Sequence, residues 1–115
     1  MCHYRHRAHD DPLILVGLQD ITAHVDFTAM ADSALAADMQ VTGYTTQAHF
    51  LLGSGLTELV AEEEGDAAQQ LELANQVKRL TLPQEMGELF KVMALTKDFR
   101  SNMPGFMLRD LRNSL

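Results

Sequence analysis

One run of residues decides the fold: Gly17-Leu18-Gln19-Asp20-Ile21-Thr22-Ala23-His24-Val25-Asp26-Phe27. Polar side chains occupy alternate positions from residue 20 to residue 26, and apolar side chains lie between them. Because successive side chains of an extended chain point to opposite faces, this alternation predicts an extended segment with one polar face. The candidates for chemistry on that face are Asp20, Thr22, His24 and Asp26.

Asp26 also marks the predicted start of a helix. Its carboxylate can accept a hydrogen bond from the free amides of a helix that runs from Phe27 to about Asp38. One apolar face of that helix would carry Phe27, Met30, Ala31, Ala34 and Leu35. We therefore interpret Asp26 as a helix cap.

The rest of the chain alternates between strand and helix patterns. Residues 1–8 are typical of an extended segment that leads into a polar loop. β-Branched and aromatic residues predict a strand over 40–46, and an apolar pattern on both faces predicts a second strand, buried on both sides, over 88–96. Helices are predicted between them over 47–52, 56–64 and 66–80, and an amphipathic end over 106–115. Two strands alone make a sheet of only marginal stability, so we expect both to join a sheet that this chain does not contain.

The charge of the chain is acidic and uneven. The formal net charge is -7, and residues 1–66 hold 11 acids against 2 Lys or Arg, whereas residues 67–115 hold 5 against 7. No basic stripe interleaved with aromatic residues occurs, so we expect no nucleic-acid partner. The longest apolar run, Leu13–Val16, is far shorter than the roughly 20 residues of a membrane span, so we expect no membrane partner. The single cysteine, Cys2, excludes an internal disulfide and fits the reducing cytoplasm.

Three blocks of the sequence carry a resemblance to a known family. In chain order they are Asp20–Phe27, Gly43–Gln47 and Met86–Leu95. Together with the opening Tyr4–Arg7, they resemble the C-terminal part of the MidA-like methyltransferases, which depend on S-adenosylmethionine. The resemblance implies an α/β class I (Rossmann-like) methyltransferase fold, of which residues 1–115 are a C-terminal fragment. It further implies that the two predicted strands are a terminal antiparallel pair, and that residues 47–82 are a helical insertion.

The cofactor-binding part of such a fold is not found in this sequence. Class I folds bind their cofactor with a glycine-rich loop that follows a strand and with an acidic residue that holds the ribose. Gly53-Ser54-Gly55 is the nearest glycine pair, but no strand leads into it. The resemblance therefore implies S-adenosylmethionine as the cofactor of the full-length family and none for this chain alone. We expect a truncated product or a split gene that is inactive by itself, which leaves open a partner chain that supplies the N-terminal half.

The resemblance implies a protein arginine as the substrate. A carboxylate suits a cationic guanidinium, and Asp20 can hold one through paired hydrogen bonds. The predicted substrate-binding residues are Asp20, Thr22, His6 and His24. Two readings stay open beside this one: Asp20 as a turn carboxylate, and His6 as a surface histidine. We assign no catalytic residue.

Three histidines near the start of the chain raise the question of a metal site. His3, His6 and His9 recur at every third residue, but this spacing matches no strong zinc signature. In a continuous strand, His3 and His9 would share one face and His6 would lie on the other. We therefore assign no metal ligand.

The end of the first helix departs from the family pattern. Asp38 and Met39 stand where the family usually ends this helix with glycine. A carboxylate there meets the negative end of the helix dipole, so we expect a weakened helix end.

A function of a different class also stays open. The chain could be a non-enzymatic, acidic α+β module that binds another protein through an exposed sheet edge or through its helical insertion. An in-frame glycine-rich loop encoded upstream of Met1 would favour the enzyme, whereas a stop codon and a promoter would favour the module.

Overall fold

A computed structural model describes all 115 residues, which form two small antiparallel sheets and four α-helices. The first sheet has the order β2-β1-β3, and its strands are β1 (Cys2–Tyr4), β2 (Arg7–His9) and β3 (Asp20–Ile21). The second sheet pairs β4 (Gln40–Thr46) with β5 (Lys91–Thr96). The helices are α1 (Phe27–Ala36), α2 (Gln47–Gly53), α3 (Leu56–Glu62) and α4 (Ala67–Thr81). From α1 to β5, every element follows the predicted order.

The start of the chain is a hairpin, so the prediction of one extended segment over 1–8 is wrong. β1 and β2 pair with Tyr4 opposite Arg7, and the two turn residues between them, Arg5 and His6, have φ of 45° and 64°. A two-residue hairpin turn with positive φ at both positions matches the twist of the flanking strands, but Asn-Gly is its usual sequence. The usual signal for this turn is therefore missing from the sequence.

The run from Gly17 to Phe27 is a strand over only two residues. Gly17 lies in a turn with φ of 81°, β3 covers Asp20–Ile21, and residues 22–26 belong to no helix or strand. The apolar Ile21 and Val25 are 65% and 55% exposed. Only two residues of the predicted extended segment therefore pair as a strand, and its apolar side chains are not buried within this chain.

Helix α1 has a defined hydrogen-bonded cap at each end. At the start, the Asp26 carboxylate accepts a hydrogen bond from the backbone N of Ala29 at 2.9 Å, which confirms the predicted cap. At the other end, the N of Met39 donates to the O of Ala34 at 2.9 Å, and Asp38 has φ of 57°. This is a Schellman motif, in which glycine usually takes the left-handed position because it does so with the least strain. A residue with a carboxylate occupies that position here.

The core lies on both faces of β4. Helix α1 covers one face, where the rings of Phe27 and Tyr44 are 5.1 Å apart. The other side carries α2 and the 3-10 turn Pro104–Phe106, where the rings of Phe50 and Phe106 are 5.3 Å apart. The second sheet therefore lies between α1 on one face and α2 with the 3-10 turn on the other.

Two glycines lie where the core leaves no space for a side chain. A Cβ on Gly43, next to a β-bulge in β4, would lie 2.3 Å from Cγ of Phe106. A Cβ on Gly87 would lie 2.1 Å from the backbone O of Thr81. The first obstacle is a side chain and the second is backbone, and this difference decides how each position responds to substitution.

The tail contains no long helix. Its regular parts are the 3-10 turns Pro104–Phe106 and Arg112–Ser114. Arg112 pairs with Asp110 at 2.6 Å, and the hydrogen bond from Arg112 lowers the pKa of the Asp110 carboxyl below its usual 3.8. The backbone N of Leu111 donates to the O of Tyr44 at 2.7 Å, which fastens the tail to β4.

The chain buries little of its apolar surface. Only 10 of 115 residues are buried. The radius of gyration is 17.7 Å, against about 13 Å for a compact domain of 100 residues. Leu13, Leu35 and Leu89 are 82%, 60% and 71% exposed. β5 is half-buried along its whole length, so the prediction of burial on both faces is wrong for this chain, because the sheet has only two strands. No helix is both long enough and apolar enough to span a membrane.

Candidate functional site

Three polar side chains meet on one face of the first sheet. The register places Asp20 opposite His3, so their side chains point to the same face. The Oγ1 of Thr22 lies 3.1 Å from Nε2 of His3. We call these three residues, His3, Asp20 and Thr22, the His3 cluster.

Backbone hydrogen bonds hold Thr22 in this cluster. The N of Thr22 donates to the O of Met1 at 2.8 Å, and the N-terminal amine of Met1 donates to the O of Thr22 at 2.8 Å. The Thr22 hydroxyl also donates to the O of Met1, at 3.3 Å. These bonds extend the pairing of β1 with β3 by one more hydrogen-bonded pair, and this pairing fixes the position of Thr22 beside His3.

The His3 cluster is open to solvent and can accept a cationic group. Asp20 and Thr22 are exposed, and His3 is half-buried. The Asp20 carboxylate makes no hydrogen bond or ion pair within the chain, so both of its oxygens are available. A carboxylate with two free oxygens can form a paired, charge-assisted bond with a guanidinium. The arrangement is thus suited to binding a cation rather than to supplying a nucleophile.

The other two predicted substrate-binding residues lie outside the cluster. His6 is exposed in the hairpin turn, and His24 is exposed in the irregular segment before α1. No hydrogen bond or ion pair joins either histidine to Asp20 or Thr22. The structure therefore brings together two of the four predicted residues, and the substrate role of all four stays a prediction.

The predicted arrangement of the three histidines is wrong. Cys2 pairs with His9 and His3 pairs with Ala8, so His3 and His9 lie on opposite faces of the sheet. The reason is the hairpin, which reverses the chain between them. No group of three His, Cys, Asp or Glu side chains lies close enough together to hold a metal ion.

His3 belongs to the cluster although the pattern of the sequence does not single it out. Its role depends on the pairing of β1 with β3, which lie 16 residues apart at their closest ends. A turn signal between residues 4 and 7 could have placed His3 in a hairpin, but Arg5-His6 is not such a signal.

A second polar group lies at the junction of β4 and α2. The Oγ1 of Thr46 lies 2.6 Å from Nδ1 of His49, and Oε1 of Glu88 lies 3.9 Å from the same nitrogen. Arg109 approaches the same carboxylate oxygen at 3.5 Å. The ring of His49 has a hydrogen-bond partner and is half-buried. This group links α2, the approach to β5 and the tail.

Substitution of Asp26 separates its capping role from a chemical one. We expect Asp26→Ala to lower the free energy of unfolding by about 1 kcal/mol, whereas Asp26→Asn should change it by only a few tenths, because asparagine caps a helix as well as aspartate does. Thermal unfolding followed by circular dichroism measures both. Equal losses in the two variants would show that the charge of Asp26, and not its hydrogen bond to Ala29, is what matters.

Comparison with known proteins finds a family that is similar to the first part of the chain. Residues 1–45 match a protein family described as "Putative S-adenosyl-L-methionine-dependent methyltransferase". Among curated proteins, none matches the sequence.

Two crystal structures from Burkholderia thailandensis are similar to the whole chain, each at 46% identity. One is an uncharacterised superfamily protein, with a TM-score of 0.86, and the chain covers 31% of it. The other is described as a superfamily member and "likely methyl transferase" bound to S-adenosyl-homocysteine, with a TM-score of 0.87 and 30% coverage. The chain therefore spans about a third of the length of these proteins. The similarity confirms the predicted fold class, a fragment of a methyltransferase fold that contains an antiparallel strand pair.

Proposed function

We propose that this chain is part of an S-adenosyl-L-methionine-dependent methyltransferase and forms the substrate side of an enzyme that methylates arginine side chains of proteins. One observation carries the proposal: the whole chain is 46% identical to part of a protein that binds S-adenosyl-homocysteine. That compound is what remains of the methyl donor after transfer.

The one glycine pair of this chain is not shaped like a cofactor-binding loop. Gly53 and Gly55 flank a turn between two helices, and the backbone O of Pro104 lies only 2.6 Å from the place of a Cβ on Gly53. Pro104 therefore occupies the space beside Gly53 that a cofactor would need in order to approach the backbone as it does in a glycine-rich loop. We therefore propose that S-adenosylmethionine is bound by the part of the enzyme that corresponds to the rest of the Burkholderia protein, and that this chain alone binds none and is inactive.

Calorimetric titration of the isolated chain with S-adenosylmethionine tests this division. We expect no saturable heat of binding. Saturable binding in the micromolar range would disprove the division, because the chain would then hold a cofactor site of its own.

The His3 cluster supports arginine as the substrate. Asp20 offers a carboxylate to the guanidinium, and the hydroxyl of Thr22 and the ring of His3 can accept or donate further hydrogen bonds beside it. The excess of acids over residues 1–66 also attracts a cationic peptide. The role of the cluster is to bind and orient the guanidinium.

Substitution of Asp20 tests whether arginine is the substrate and whether the Asp20 carboxylate binds it. The chain is co-expressed with the remainder of the Burkholderia protein, and transfer of labelled methyl groups to arginine and lysine peptides is measured. Since a hydrogen bond to a charged group contributes about 1.5–3 kcal/mol, we expect Asp20→Asn to lower kcat/KM for the arginine peptide by about tenfold or more. The KM for S-adenosylmethionine should not change.

Asp10→Asn, which removes an exposed carboxylate outside the cluster, serves as the control. Equal losses in the two variants, or labelling of lysine alone, would contradict the proposal.

We further propose that the protein acts in the cytoplasm. Cys2 is buried and unpaired, as expected for a protein of a reducing compartment. Cell fractionation with an antibody against the chain would test this location.

A non-enzymatic interaction module is the second candidate. The observation that favours it is the large exposed apolar surface together with only two strands in the second sheet. Binding to another polypeptide without any methyl transfer would support this candidate over the enzyme.

A further inference from the structure

β4 has an inner edge, which pairs with β5, and an outer edge, which faces away from it. In an antiparallel pair, each residue directs its N–H and C=O to the same side, and the side alternates along the strand. The N of Gln47 donates to the O of Phe90 at 2.9 Å, so residue 47 points towards β5. By this alternation Thr45 also points towards β5, and Tyr44 presents its N–H and C=O on the outer edge.

The outer edge of β4 is suited to pairing with another strand. Residues 40–46 carry no charge and no proline, and all but Gln40 and Gly43 are β-branched or aromatic. Strands of this composition pair readily with other chains unless a charge, a proline or a covering segment prevents it. An uncovered outer edge would therefore be a site of self-association.

Residues 109–115, which we call the strap, cover this edge. The N of Leu111 donates to the O of Tyr44 at 2.7 Å, and Nη1 of Arg112 donates to the O of Val41 at 3.4 Å. The strap ends in a 3-10 turn and not in a strand. It therefore occupies carbonyl groups of the outer edge without presenting a new edge of its own.

The strap is held by few contacts. Beside its two hydrogen bonds to β4, Arg109 pairs with Glu88 at 3.5 Å, and both side chains are more than a third exposed. An ion pair at such a position contributes little to stability. Within the strap only Leu111 and Leu115 are half-buried, and the other residues are exposed. Release of the strap is thus a local opening at a chain end, of the kind that costs much less than unfolding.

We propose that the strap is an edge guard. While it is bound, it blocks the outer edge of β4, and when it is released, β4 pairs antiparallel with β4 of a second copy of this chain. The pairing has two-fold symmetry about Tyr44, so that the N–H of Tyr44 in each copy donates to the C=O of Tyr44 in the other. A second copy fits this edge because β4 is uncharged, and no like charges lie opposite each other across the pair. The proposal does not depend on the proposed enzymatic function.

Sedimentation of the full chain over a range of concentrations tests the guard, at about 0.15 M salt so that the repulsion between acidic copies is screened. Leu111→Pro and Leu111→Ala both remove most of the side chain, but only the proline removes the N–H that donates to Tyr44. Loss of one hydrogen bond favours the released strap by about fivefold. Since both copies must open, we expect the dimerisation constant of Leu111→Pro to exceed that of Leu111→Ala by about 25-fold. Equal constants for the two variants, or monomers throughout, would overturn the proposal.

A second variant tests the guard without a proline, in case Leu111→Pro does not fold. Arg112→Gln removes the bond to Val41, and Arg100→Gln, at an exposed residue outside the strap, is the control with the same change of charge. Each replaces one Arg and so changes the formal charge from -7 to -8, which by itself weakens self-association. We expect Arg112→Gln to raise the dimerisation constant by about fivefold or more and Arg100→Gln not to raise it. A constant that falls equally in both variants would contradict the guard.

Amide exchange read by NMR identifies the edge that pairs. Met93 lies opposite Tyr44 and points away from β4, so its amide reports the outer edge of β5. As the concentration of Leu111→Pro or Arg112→Gln rises, we expect exchange at Tyr44 to slow by about tenfold or more and exchange at Met93 to stay the same. Protection of Met93 and not of Tyr44 would show that the copies join through β5, and the proposal would then be wrong.

Discussion

Replacing Gly87 with alanine should cost about 3 kcal/mol of unfolding free energy, at the upper end of what overpacking a core position costs. The new Cβ would lie 2.1 Å from the backbone O of Thr81, and backbone cannot move aside as the tip of a flexible side chain can. Gly87 also donates to the O of Leu82 and accepts from the N of Ala48, each at 3.0 Å, so any shift disturbs the contact between α4 and α2. Thermal unfolding by circular dichroism should show a loss of about 15 °C in Tm, given roughly 4–8 °C per kcal/mol for a domain of this size.

Gly17→Ala is the matched control for Gly87→Ala. Gly17 has φ of 81° but no atom within 4 Å of a new Cβ, so alanine there meets conformational strain without a clash. The expected cost of that strain is about 1 kcal/mol. If Gly87→Ala costs no more than Gly17→Ala, the close contact with Thr81 is not present in solution.

The second large loss of stability is expected for Gly43→Ala. Removal of the Phe106 ring by a second substitution should abolish most of this loss. In Gly43→Ala the Cβ would lie within 2.6 Å of three ring carbons of Phe106, and we expect a loss of about 2–3 kcal/mol. When the ring is absent, in the Phe106→Ala background, the same change should cost under about 1 kcal/mol. The double-mutant cycle should therefore give a coupling energy of about 2 kcal/mol, measured by thermal or urea unfolding.

The control for this cycle lies on the opposite face of β4. Phe27 packs against Tyr44 and lies on the face that Phe106 does not occupy. In the Phe27→Ala background, Gly43→Ala should keep its full cost, because the ring of Phe106 is still present. A coupling as large with Phe27 as with Phe106 would mean that the cycle reports general loosening of β4 and not the contact at Gly43.

The middle of the chain could be predicted from the sequence because its signals are local. Asp26 and Asp66 cap the helices that follow them, and Asp66 with Gln69 forms a capping box. The run of β-branched and aromatic residues marks β4 with the bounds that the structure has, Gln40–Thr46. Each of these signals lies within a few residues of the feature that it specifies.

The start of the chain could not be predicted in this way because its structure depends on distant pairing. Arg5 and His6 form a hairpin turn without the residues that usually mark one, and the hairpin then determines which face His3 takes. The alternation over residues 20–26 correctly placed Asp20 and Thr22 on one face, but both faces of this segment are exposed. Asp38, like Arg5 and His6, has a positive φ without being a glycine: its φ is 57° at the end of α1.

The small number of buried residues has a consequence for the lifetime of the protein in a cell. With 10 of 115 residues buried, much of the apolar surface that chaperones and proteases recognise in unfolded chains is exposed on this one even when it is folded. Under the proposed function, a molecule that has not joined a complementary chain is a substrate for quality control, and one that has joined it is protected. We expect the amount of the chain in a cell to follow the amount of its complement, so that degradation of the excess sets a one-to-one ratio without control of transcription.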